Sequence, residues 1–175
     1  AFEYLKRVLT AEGIPVQELV LEPNRPSLVA RLKGTGRQRP LLIVGHTDTV
    51  NVDPAKWTFP PFSGARDNGY IYGRGTLDDK AMAAIFVANL IRYKKEGLKP
   101  KRDLIIALTA DEEGGTHNGV GWLLANRREL IDAEFALNEG GGGTNRNGRP
   151  YIQGVQVSEK MFVTFDMEAT NPGGH

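Results

Sequence analysis

The chain has 175 residues, with 22 Lys and Arg against 21 Asp and Glu, and a formal net charge of +1. Charges of both signs are mixed along its length, so there is no electrostatic basis for binding nucleic acid or an anionic membrane, and no apolar run reaches the length needed to span a bilayer. Cysteine is absent, which excludes disulfides, thiolate catalysis and Cys-ligated zinc and leaves His, Asp and Glu as ligands for any metal.

The length suits one domain with a real core and part of a second. In chain order, residues 1–13 predict an amphipathic helix with Phe2, Leu5, Val8 and Leu9 on one face and Gly13 as its stop. IPVQELVL (14–21) reads as a short strand, and SLVARLKG (27–34) as a second, half-exposed one. LLIVG (41–45) has the continuous apolar pattern of a strand buried on both faces. Residues 57–69 are loop-like, and NGYIYGRG (68–75) suggests a hairpin arm and a tight turn. The best helix runs over 78–96, with Met82, Ile85, Phe86, Leu90 and Tyr93 at helical spacing and Gly97 following. Leu104–Thr109 predicts a second buried strand, 119–131 a helix, and AEFALNEGGGG (133–143) a third buried strand. KMFVTFDMEAT (160–170) reads as a half-exposed strand of a different layer, which places a domain boundary between 156 and 157. Strands alternating with helices predict an α/β sheet flanked by helices. The N-terminus has no Met start and no leader, and both ends read as cut, so the chain is expected to be a fragment. Location stays open, with the cytoplasm favoured.

The chemically notable residues fall just past the carboxyl ends of apolar strands, where open α/β sheets place their ligand crevice. His46 and Asp48 lie two apart after a buried strand, so in extended backbone they share one face. An imidazole can bind metal through one nitrogen while the other donates to a carboxylate. Read alone, such a pair is more often a strand-end His and a loop Asp, each bonded to backbone. Asp78 and Asp79 begin the long helix, where one Asp is an ordinary N-cap; two exceed what a cap needs. Asp111, Glu112 and Glu113 follow a buried strand, and their mutual repulsion would be relieved by a cation; a solvated acidic loop is the other reading. Glu139 ends the third strand in the same way. His46, Asp78, Glu113 and Glu139 together form a hard N/O ligand set suited to Zn2+, or to Mn2+ or Co2+. Two such ions about 4 Å apart would acidify a shared water.

GHTDTV, GRGTLDDK, TADEEGG and NEGG, in this order and at these separations, resemble the M20 family of dinuclear zinc peptidases and amidohydrolases. That group contains carboxypeptidases, aminoacylases, desuccinylases and dipeptidases. The resemblance runs from about residue 40 onward. It implies a zinc-exopeptidase-like mixed sheet for residues 1–156 and the first strand of an α+β lid and dimerisation domain for 157–175. It implies two Zn2+ per complete site and hydrolysis of a peptide or N-acyl amide bond. His46 and Glu139 would ligate one ion, Glu113 the other, and Asp78 would bridge both. Asp48 would orient His46, Glu112 would be the general base, and the Asp78–Asp79 bond is expected to be cis. NPGGH looks like the start of the lid motif, whose His175 would stabilise the tetrahedral intermediate, commonly across a homodimer.

Two departures stand out. Ala81 occupies a position where the family pattern has glycine. The family's last zinc ligand, a histidine far downstream, lies beyond residue 175, so an inactive metal-binding or dimerising fragment is the alternative expectation. His117 reads as a loop histidine. HExxH, GxSxG and the phosphate-loop pattern are absent from the sequence.

Overall fold

The computed structural model describes residues 1–175 apart from Gly115, Glu159, Lys160, Phe162, Gly174 and His175. Helix α1 (Phe2–Ala11) buries Leu5 and Leu9. It stops before Gly13, whose φ of +66° lies in the left-handed region that a Cβ disfavours. Strands β1 (Val16–Glu22) and β2 (Arg25–Leu32) form an antiparallel hairpin. Next come β3 (Leu41–His46), a small hairpin of β4 (Ala65–Asp67) and β5 (Tyr70–Tyr72), helix α2 (Lys80–Lys95) and β6 (Leu104–Thr109). Helix α3 (Gly119–Asn126), β7 (Phe135–Leu137), β8 (Gly142–Arg146) and β9 (Arg149–Gly154) complete the order.

The principal sheet has five strands in the order β1-β2-β6-β3-β7. Strand β3 is parallel to both β6 and β7, whereas β2 is antiparallel to β6. The sheet is therefore mixed, as expected. One face packs Leu28, Ala30, Leu104, Ile106 and Leu108 against Leu5 and Leu9 of α1 and Ala83, Val87 and Leu90 of α2. The other packs Val29, Leu42, Val44, Ile105 and Ala107 against Leu123 of α3 and Ile131. All six residues of β6 are buried because helices cover both faces, the physical reason for its unbroken apolar run.

Several elements differ from the sequence reading. Strand β2 is not half-exposed: Ser27 to Ala30 are buried in succession, because Leu28 and Ala30 pack in the cluster with α1 and α2 on one face and Val29 in the cluster with Leu123 and Ile131 on the other. The helix expected over 119–131 stops at Asn126, since Arg127 leaves the helical basin at φ −143° and ψ 39°; a 3-10 turn at Arg128–Leu130 follows. Strand β7 is exposed along its length, because it pairs only with β3 at the sheet edge. The glycine run, read as the end of the third buried strand, instead enters the β8–β9 hairpin, which begins at Gly142. Its turn holds Asn147 and Gly148 at φ 52° and 72°, the conformation that an Asn-Gly pair favours. Among the described residues of 160–170 there is no strand. By contact the chain forms two compact units, Ala1–Glu139 and Gly140–His175, and the boundary expected at 156/157 falls inside the second.

A part-buried ionic tie joins the end of β2 to the start of β6. Asp103 accepts from the Gly34 N–H at 2.9 Å and from Lys33 Nζ at 2.9 Å, and Arg31 Nε lies 3.3 Å away. Gly34 is required by closeness, since a Cβ there would come within 2.3 Å of the Arg102 carbonyl oxygen. Burial works to raise the Asp103 pKa, but the Gly34 N–H, Lys33 and Arg31 outweigh it and hold the group below its ordinary value. A carboxylate depressed on folding adds stability above the unfolded value of about 3.9, lost as pH falls through the lower folded value. Asp103→Asn is expected to cost about 1–3 kcal/mol at neutral pH. The gap to the parent should close only at pH values below the depressed folded value, where both carry a neutral group. Urea unfolding at the two pH values measures this; equal stabilities at neutral pH would contradict it.

Candidate metal centre

Topology delivers the candidate residues to one place. Because β3 and β6 run parallel in register, His46 pairs with Thr109, so the acidic segment after β6 leaves the sheet beside the end of β3. Strand β7 runs parallel on the other side of β3 and sends Glu139 to the same end. The junction before α2 supplies Asp78 and Asp79, joined by a cis peptide bond.

His46 is 1% exposed. Its Nε2 faces Asp78 Oδ1 at 3.0 Å, Glu139 Oε1 at 3.5 Å and Glu112 Oε2 at 3.9 Å. Its Nδ1 lies 3.4 Å from Asp48 Oδ1, and both atoms are buried without a well-formed hydrogen bond. Potential ligand atoms of His46, Asp78 and Glu139 lie within 4.8 Å of one another. Glu113 enters through its backbone, donating its N–H to Asp48 Oδ2 at 3.0 Å; its carboxylate is not in the group with His46, Asp78 and Glu139. The structure thus brings together His46, Asp48, Asp78, Glu112 and Glu139. His117 sits elsewhere, 3.3 Å from Glu22 and hydrogen-bonded to Thr116. His175 lies outside the described residues.

The electrostatics are those of a negative cluster around one imidazole. Burial works to lower the His46 pKa, but Glu139, Asp48, Asp78 and Glu112 outweigh it and hold it above its ordinary value. Burial raises Glu112, with Glu113, Asp48 and Asp78 adding and His46 opposing. Burial likewise raises Glu139, with Asp79, Glu112 and Asp78 adding. An imidazole lone pair facing carboxylate oxygens is repulsive unless a proton or a metal ion lies between them. A cation at Nε2 would also fix Nδ1 as the donor to Asp48, giving the two orphaned atoms a reason to face each other. The N/O donor set fits a divalent ion such as zinc.

Residues 42–170 match peptidase family M20/M25/M40. The chain belongs to this family. M20 members are metallo-hydrolases of peptide or acyl-amide bonds. This M20 chain is 36% identical over 141 residues to the N-fatty-acyl-amino acid synthase/hydrolase PM20D1 of Xenopus tropicalis, covering 78% of the chain and 27% of that protein. It is 39% identical over 158 residues to a succinyl-diaminopimelate desuccinylase of Delftia acidovorans, covering 83% of the chain and 41% of that protein. It superposes on an M20 family metallo-carboxypeptidase from Sulfolobus solfataricus with a TM-score of 0.68 and 25% identity, over 80% of this chain and 32% of that one. It therefore spans less than half the length of each of these relatives. Among the described residues no helix is long and apolar enough to cross a membrane.

Two residues have roles here that the sequence reading did not assign them. Asp79 is 1% exposed and accepts the His46 backbone N–H at Oδ2, 3.1 Å away. That carboxylate pins the strand end from which the imidazole projects. Gly45 makes room for it, since a Cβ there would lie 2.8 Å from Asp79 Oδ2. The signal was present in LLIVGH, where glycine interrupts an apolar strand just before the histidine.

Zinc titration by calorimetry tests the centre. His46→Ala is expected to weaken binding at least tenfold. Affinity in the parent chain should fall as pH drops through the raised His46 value, above 6.5, because the protonated ring cannot ligate. Binding that ignores both the substitution and pH would contradict the assignment.

Proposed function

We propose that the chain supplies the N-terminal part of the catalytic domain of an M20 hydrolase that cleaves a peptide or N-acyl amide bond by attack of water. The substrate class is carboxypeptidase-like or dipeptidase-like, a peptide or an N-acyl amino acid. The observation that carries the reading is the convergence of His46, Asp78 and Glu139, with the Glu112 carboxylate 3.9 Å from His46 Nε2.

In this reading His46, Asp78 and Glu139 would hold one Zn2+, and Asp78 with Glu113 would contribute to a second; Mn2+ or Co2+ satisfies the same donors. Bound ions would supply Lewis acidity toward the scissile carbonyl and make water a better nucleophile at neutral pH. Glu112 accepts the proton of the attacking water and returns it to the leaving amine. Burial and carboxylate neighbours raise its pKa, which suits a group that both takes and gives a proton. With a cation at Nε2, Asp48 would accept a hydrogen bond from the Nδ1–H of His46 and so orient the ring, while it also anchors the backbone of Glu113. The division into a catalytic part (1–156) and the start of a lid (157–175), and a homodimer in the whole protein, belong to the same proposal and rest on family likeness.

One observation favours the rival, a metal-binding segment without turnover. The carboxylate of Glu113 is not in the group formed by His46, Asp78 and Glu139, and that group by itself offers donors for one ion. Turnover separates the two. In the protein that carries this sequence, Glu112→Ala is expected to lower kcat by about 10²–10⁴-fold with bound zinc unchanged. Undiminished turnover in this variant would reject the base assignment, and absence of turnover in the parent would favour the rival.

A further inference from the structure

The segment bearing Glu112 is fastened from two directions. On one side Asp48 takes the Glu113 N–H. On the other, the β1–β2 hairpin makes three ties. Ser27 Oγ accepts from the Ala110 N–H at 3.2 Å. Glu22 lies 3.3 Å from His117. Arg25, the first residue of β2, points one guanidinium nitrogen, Nη1, at both carboxylate oxygens of Asp111, at 2.7 and 2.8 Å. Asp111 is a non-glycine residue at φ 60°, a region that a Cβ disfavours. Its side chain is 9% exposed, and it immediately precedes Glu112. Arg25 lies outside residues 42–170, the span that matches the family.

From this arrangement we propose that Arg25 is a positioning residue for Glu112; the proposal rests on the reading of Glu112 as general base. The torsion at Asp111 sets the direction in which the next residue leaves β6. Arg25 stabilises that torsion by giving the buried carboxylate its charged partner. Without the guanidinium, the Asp111 carboxylate is left buried and unpaired. The residue then relaxes toward negative φ and swings the peptide that carries Glu112. A general base must sit within hydrogen-bond reach of its proton, and small misplacements lower turnover steeply. Arg25 touches no reacting atom in this scheme and acts only through Asp111.

The test uses the zinc-saturated protein that carries this sequence. Arg25→Ala is expected to lower kcat about tenfold or more, with KM changed less than about threefold and zinc content unchanged. Arg25→Lys, which keeps the charge, should recover part of the loss, and so should added guanidinium with the Ala variant. In a Glu112→Ala background, Arg25→Ala should cost no further rate, because the group it positions is gone. Parental kcat in Arg25→Ala, or the same fold loss in both backgrounds, would overturn the proposal. Parental turnover in the Glu112→Ala single variant would instead overturn the reading beneath it. Should Arg25→Ala fail to fold, Arg25→Lys decides: a reduced kcat at unchanged KM supports the proposal, and a parental kcat overturns it.

Discussion

At the end of β3 an imidazole nitrogen faces carboxylate oxygens of Asp78, Glu139 and Glu112 between 3.0 and 3.9 Å away. That concentration of negative charge around a buried ring is the constraint on which the rest depends. Burial, and next to it like charges held this close, disfavour ionisation here and push Glu112 and Glu139 above their ordinary values. A divalent cation removes the conflict at one stroke, satisfying Nε2 and the carboxylates together. Other features read as consequences. Asp48 faces the second ring nitrogen, Asp79 grips the backbone of His46, and Gly45 leaves space for Asp79.

The fold produces this concentration by parallel pairing. Strands β6, β3 and β7 are neighbours and point the same way, so residues just past their ends meet although they are far apart in sequence. The apolar interior of β3 and β6 is what makes the placement rigid. Leu42, Val44, Ile105 and Ala107 interlock on one face, while Leu104, Ile106 and Leu108 do so on the other. Polar residues appear where that packing ends. The β1–β2 hairpin extends the sheet on the far side of β6 and grips the acidic segment with Arg25 and Ser27.

Much of this was legible in the sequence because the strands and the ligands share one grammar. LLIVG followed by His46, and LIIALT followed by Asp111 to Glu113, each show a buried run giving way to charge, and both strands form as read. What the pattern could not show was neighbourhood. Alternation in SLVARLKG suggested one wet face, yet β2 is covered on both, because its two faces enter the two apolar clusters. The apolar residues of β7 suggested burial, yet Phe135 and Leu137 are more than half exposed at the sheet edge. The Asn147-Gly148 turn was legible and was masked by the glycine run before it. Asp79 looked like a spare carboxylate because its partner is a backbone N–H, which leaves no trace in composition. Arg25 carried no motif at all; its partner lies 86 residues away.

The central claim is that these side chains gather to hold a divalent ion at His46. Anomalous diffraction at the zinc edge, from crystals of the protein grown with zinc, tests it most directly. The account predicts an anomalous peak about 2.0–2.2 Å from His46 Nε2 and from carboxylate oxygens of Asp78 and Glu139. A peak bound elsewhere, with the His46 ring free and turned from those oxygens, would contradict it.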